Sequence, residues 1–250
     1  MRTPPPPPRP PGAPPPRGPI PPRGPTPPRG AAPPKAGPPP RPPVKAPASK
    51  PRPARKLPAW LARAKRLLLD PAHEWGTIAA EFTTPGPIYT RFLVPMAAIG
   101  PVAATLGALL FDGERGSVLT FGVLPVKLGT AVQAGVLEFA LNLLGVYGLA
   151  AAIDVIGGSI GASRNRVQAL KVAAYGTTPY WLAGAFALFP RIAPLGMLLG
   201  IWSVRLFAAG LGPVMKAPRD KSAAYTLLTS IAAGLIVLVI TAIITKLVTA

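Results

Sequence analysis

ALKVAAYGTTPYWLAGAFALFPRIAPLGMLLGIWSVRLFAAGLGPVMKAP, residues 169–218, decides the fold. It holds two long apolar runs, Val172 to Phe189 and Ile192 to Val214, joined by a short Pro-Arg-Ile-Ala-Pro turn. At about 1.5 Å per helical residue, each run crosses a hydrocarbon core of about 30 Å with little slack. Basic residues flank the pair: Arg164, Arg166 and Lys171 before it, and Lys216, Arg219 and Lys221 after it. This is the pattern of a transmembrane helical hairpin whose two ends lie on one side of a bilayer.

Working outward, Phe92–Phe111 is an uncharged span containing Pro95 and Pro101, which neighbouring helices can accommodate. A polar loop, Asp112–Gly116, follows it. The next apolar stretch is interrupted by Pro125 and Lys127, so 118–127 reads as an interfacial or re-entrant piece. Two full spans there would place Lys127 inside one of them at a cost of a few kcal/mol. The spans expected are about 92–111, 130–156, 172–189, 192–214 and 225–248. They form an all-α polytopic membrane bundle of about five transmembrane helices within 91–250. The Lys/Arg asymmetry of the loops points to a cytoplasmic N-terminus and an outside C-terminus.

The chain is two unlike parts. Residues 1–66 hold 15 of the 27 Lys/Arg and no acid, and residues 1–58 hold 27 of the 38 prolines. Proline removes backbone donors and large apolar side chains are nearly missing, so 1–56 is expected to be a disordered basic tail. Pro-Pro-Arg-Gly recurs at 15–18, 21–24 and 27–30. Fully extended at about 3.1 Å per residue, such a tail reaches on the order of 150 Å. Its P-x-x-P segments suit a protein partner with an aromatic groove. Phosphate contacts are open to it, but without aromatic residues before Trp60 no specific nucleic-acid reading is expected. The opening lacks an apolar h-region, so targeting is expected to rest with the first span.

Residues 57–90 read as juxtamembrane helices. Trp60, Leu61, Ala64, Leu67 and Leu68 share one helix face, with Arg63, Lys65 and Arg66 off it. Such a helix is expected in the headgroup layer, where its charges favour anionic lipid by up to ~1 kcal/mol each. Packing on the membrane domain is the alternative. In the next segment Asp70 suits an N-cap and Pro71 a first helical position, with Trp75 on the apolar stripe and expected at the membrane interface. His73 falls in the first turn, with no nucleophile or metal partner in view.

Ionisable groups within spans are functional candidates by default. Here they are Glu138, Asp154 and Arg205, with Lys127 near the outer interface. Asp154 and Arg205 are expected to pair between helices, and Glu138, with Asn142 one turn on, is a candidate proton or cation site. Thr177, Thr178 and Pro179 mark a kink, read either as structural or as a small pocket closed by Tyr175 and Tyr180. Gly157-x-x-x-Gly161 and Gly196-x-x-x-Gly200 are small-residue patterns. Gly196 and Gly200 lie in a span and allow close helix contact, within the protomer or in a homo-oligomer. Absence of cysteine removes thiolate chemistry and Cys-ligated metals. No hydrolase or nucleotide motif is present, so no catalytic residue, metal or cofactor is assigned.

Four phrases carry a family resemblance: DPAHEWGTIAAE (70–81), AIDVIGG (152–158), KVAAYGTTPYWLAGAFALFP (171–190) and LGPVMKAPRDKSAAYT (211–226). Together they resemble the bacterial branch of the Yip-type, or Ypt/Rab-interacting-protein, membrane domain. The resemblance covers roughly Leu67 to Ala250 and implies five helices after a cytoplasmic N-terminus; Arg205 and the Pro/Arg tail depart from its pattern. The expected function is non-enzymatic: organising a bacterial inner membrane or recruiting partners at its cytoplasmic face. The alternative is a small transporter or channel built on Glu138, Asp154 and Arg205.

Overall fold

A computed structural model describes residues 57–117 and 123–249. The expected tail, 1–56, lies outside these residues, as does half of the expected re-entrant piece. Two short helices, α1 (Ala59–Leu69) and α2 (Pro71–Ala80), precede the bundle. The first traverse, α3, runs over Pro85–Leu110. It is followed by a two-residue antiparallel pairing of β1 (Glu114–Arg115) with β2 (Leu124–Pro125). Next come α4 (Leu128–Ile160), α5 (Arg166–Gly176), α6 (Thr178–Ala183), α7 (Gly196–Met215) and α8 (Ser222–Thr249).

Among the described residues, four helical stretches are long and apolar enough to cross a membrane: Pro85–Leu110, Leu128–Ile160, Pro190–Met215 and Arg219–Thr249. The expected span at 172–189 is different in kind. It is not among these four but a broken segment, α5 and α6 continued by a 3₁₀ turn, Gly184–Leu188. Pro179 has no N–H and is tolerated only in the first turn of a helix, so α6 starts at Thr178 and the break falls at Thr177, φ −84° and ψ 5°. Thr177 Oγ1 donates to the Ala173 carbonyl at 2.7 Å, and Thr178 Oγ1 to the Tyr175 carbonyl at 2.6 Å. The broken turn is thus satisfied from within, as a membrane interior requires. Residues 171–179 are all buried.

Contacts fix the direction of each traverse. Gly100 meets Gly184 and Gly107 meets Ala187, so α3 runs parallel to the broken segment. Gly135 lies against Thr105, and Gly145 against Ile236 and Ile240, so α4 is antiparallel to both α3 and α8. α1, α2 and the loops after α4 and α7 share one end of the bundle. The β-pairing, the turn before α7 and Thr249 share the other.

Several boundaries differ from the sequence reading. The first traverse starts at Pro85 rather than 92, and a π turn at Tyr89–Leu93, with Val94 N–H donating to the Tyr89 carbonyl, absorbs the donor missing at Pro95. α4 has 33 residues, about 50 Å, beginning at Leu128. Lys127 is its exposed N-cap, and Leu124–Pro125, within the described part of the expected interfacial or re-entrant piece, is strand. Gly157 and Gly161 do not form a helix-packing motif. Gly157 leaves room for the Tyr225 hydroxyl, which donates to the Ile153 carbonyl at 2.6 Å, while Gly161 closes α4 at φ +83°.

A Cβ on Gly184 would lie 2.6 Å from the Gly100 Cα, where only backbone can give way. Gly184→Ala is therefore expected to destabilise the bundle by about 1–3 kcal/mol. Gly200, with nothing within 4 Å, should accept alanine without loss. Thermal unfolding of the two variants in lipid nanodiscs compares them directly.

Candidate functional site

Two polar constellations stand out, one at each end of the bundle. The first joins α1 and α2 to the traverses. Glu74, 2% exposed, takes Arg66 Nε at 2.6 Å and Arg63 Nε at 3.2 Å. Arg63 Nη1 also reaches Glu81 at 2.8 Å and donates to the Tyr175 hydroxyl at 3.0 Å, while its guanidinium lies 5.2 Å from the Tyr175 ring centre. The hydrogen bond to Glu74 holds Arg66 above the ordinary guanidinium pKa. Lys171 donates its ammonium to the Ile78 carbonyl at 2.9 Å and the Glu81 carbonyl at 2.5 Å. A cation at the C-terminal end of α2 satisfies carbonyls that have no partner within the helix.

Beneath these charges Trp75 is fully enclosed by protein rather than placed at a headgroup layer. Its ring occupies the space a side chain at Gly210 would need, and it meets Tyr175 edge-on at 6.5 Å. Ala64 and Leu67 are also fully buried, and Trp60 packs against the same core. The α1 face is thus docked on the bundle; Leu61 is half-buried, and Lys65 and half of Arg66 remain in the open. Beside this junction lies a groove of about 510 Å³ bordered by Trp60, Arg63, Glu81, Phe82, Arg91 and Tyr175. Phe82 is 96% exposed. Asp70 caps α2, accepting from the His73 backbone N–H at 3.4 Å.

The second constellation surrounds Glu138. Arg115 leaves β1, is 3% exposed, and brings Nη2 to Glu138 Oε2 at 2.5 Å. A cavity of about 50 Å³ beside this pair is lined by Asn142, Tyr180, Trp181, Thr241 and Thr245 among others.

The expected Asp154–Arg205 pair does not form. Asp154 pairs with Arg164 at 3.5 Å, across the loop that ends α4, and the Arg205 guanidinium sits 4.8 Å from the Trp202 ring on an exposed face. That contact contributes roughly 0.5–2 kcal/mol, less than the ~3 kcal/mol that a central charge costs. Arg205 must therefore extend along its helix towards the headgroups. Nor do Tyr175 and Tyr180 close one pocket: Tyr175 belongs to the α1–α2 junction and Tyr180 to the Glu138 cavity. The Thr177–Thr178–Pro179 kink separates them. Gly196 is buried, whereas Gly200 faces open space.

Sequence reasoning missed Glu74, Glu81, Lys171 and Arg115 as site residues. Arg63 and Arg66 in one helix, followed by Glu74 and Glu81 in the next, was the available signal for the first two. Among the described residues no three His, Asp or Glu side chains converge to hold a metal ion.

Removing one carboxylate from the junction tests its role. Glu74→Gln should lower stability by about 1.5–3 kcal/mol, the usual range for a charged hydrogen bond, since Arg63 keeps Glu81 and Arg66 is half in solvent. Limited proteolysis in nanodiscs should then cut at 57–82 well before the traverses.

One family model, the Yip1 domain, matches residues 65–241, from within α1 to most of α8. Comparison with curated proteins and with solved structures gives no match. The match covers well over half of the chain and coincides with the four membrane-length helices, so this is a multi-pass integral membrane protein belonging to the Yip1 domain family.

Proposed function

We propose that the protein is a non-enzymatic membrane platform that recruits protein partners and anionic lipid at one face of the bilayer. One observation carries this reading: α1 and α2 are fixed to the bundle by buried charges, yet leave an aromatic, cationic groove and Phe82 open beside them. Fixing the surface before a partner arrives removes much of the ordering cost of association. The basic tail, 1–56, would extend the capture radius.

Charge distribution supports a cytoplasmic platform. Arg63, Lys65, Arg66, Arg91, Arg164, Arg166, Lys171, Lys216, Arg219 and Lys221 belong to this end, against Arg115, Lys127, Arg191 and Lys246 at the other. By the positive-inside tendency the C-terminus is then outside. A bacterial inner membrane as the location rests on the resemblance of the four quoted phrases. Gly200, with open space around it, supports contact with a second copy of the chain.

A transport role is favoured by one observation, the cavity beside Glu138; Asp154 and Arg205 lie elsewhere. Two measurements on the full chain separate the readings. A photo-crosslinking residue at position 82 should give discrete protein adducts in membranes, reduced in Glu74→Gln, while one at the lipid-facing position 238 should not. Ion or proton flux in proteoliposomes above the empty-liposome level, abolished by Glu138→Gln but not by Asp154→Asn, would overturn the platform reading.

A further inference from the structure

The cavity beside Arg115 and Glu138 has an unusual lining for a membrane interior. The Asn142 side chain is 4% exposed and makes no hydrogen bond to any described residue. Trp181 is 5% exposed and its Nε1–H is buried without a partner. Thr241 and Thr245, both half-buried, line the same space. A buried polar group left unpaired costs about 1–3 kcal/mol, and hydrocarbon offers it nothing in return. Trp181 Nε1 is such a group, and the buried Asn142 amide lines the same space.

We propose that this cavity is an intramembrane site for small uncharged hydrogen-bonding molecules, occupied by a water cluster that solvates the Arg115–Glu138 pair. The inference goes beyond the recruiting role and does not depend on it. Charge selects the class of occupant. A cation would satisfy Glu138 but meet the Arg115 guanidinium; an anion would meet the carboxylate. Paired at 2.5 Å, the two charges cancel at a distance and leave donors and acceptors in mixture, which water matches on every side. Size agrees: about 50 Å³ accommodates roughly three or four waters. Gly116, Leu124 and Thr245 carry the lining to the end of the bundle that holds β1 and β2. Arg115, tethered in β1, thereby occupies the position from which a mobile cation would otherwise approach Glu138.

Radiolytic hydroxyl labelling of the full chain in phospholipid nanodiscs, read residue by residue by mass spectrometry, tests this. Such radicals form where water is, so Trp181 and Tyr180 should be oxidised several-fold more than Trp75, a fully enclosed tryptophan that also has an unpartnered Nε1. In Asn142→Leu, or in the milder Thr241→Val if the first fails to fold, Trp181 labelling should fall towards the Trp75 level. Trp181 as protected as Trp75 in the wild-type chain would overturn the proposal, and that comparison needs no variant. Concentration-dependent protection of Trp181 by sodium or potassium chloride, absent in Glu138→Gln, would replace the neutral occupant with a cation and equally refute it.

Discussion

Everything in the bundle is arranged around a segment that is buried all round and cannot be a regular helix. Residues 171–179 have no exposed side, and Pro179 interrupts them. In a membrane each freed backbone carbonyl must find a partner inside the protein. Thr177 and Thr178 supply two such partners, donating their hydroxyls to the Ala173 and Tyr175 carbonyls one turn back. Lys171, at the start of the buried run, turns its ammonium outward to the carbonyls that end α2. The segment that needs most help with its own backbone therefore also secures α1 and α2.

Close packing follows from the same constraint. A segment enclosed by α3, α4 and α7 requires the neighbouring backbones to approach, and glycine stands where they do: Gly100 against Gly184, Gly107 against Ala187, and Gly176 under the Phe207 ring. Gly210 serves a different purpose, admitting the Trp75 ring between α2 and α7. Small residues in these helices thus divide into those that let helices touch and those that receive an aromatic ring. Gly200 does neither within one chain.

Charge is used differently at the two ends. At the α1–α2 end, two guanidiniums share a buried carboxylate and a third basic side chain caps a helix, which holds a surface still while leaving its rim open. At the other end a single arginine from a short β-pairing enters the bundle and meets Glu138. Both arrangements avoid leaving a lone charge in a low-dielectric interior, where the penalty is several kcal/mol. The first leaves an accessible groove of about 510 Å³ beside it, whereas the cavity beside Glu138 is about 50 Å³.

The sequence alone determined membrane insertion, the alternation of traverses and the family, because apolar run length and flanking charge are local properties that a bilayer reads directly. The phrases at 70–81, 152–158, 171–190 and 211–226 were enough for the Yip-type resemblance. Helix ends at Asp70 and Pro71 were legible for the same reason, since a cap involves neighbours in the chain. Pairings were not legible. Asp154 and Arg205 look like partners in a list of intramembrane charges, yet Arg164 is ten residues from Asp154 and closes on it through the loop. Arg115 read as a loop charge until the fold turned it towards Glu138, and Trp75 read as an interfacial anchor until Gly210 made room for it. Which charges meet depends on helix rotation and on where glycine permits approach, and those are decided by packing across distant parts of the chain, which only the tertiary structure contains.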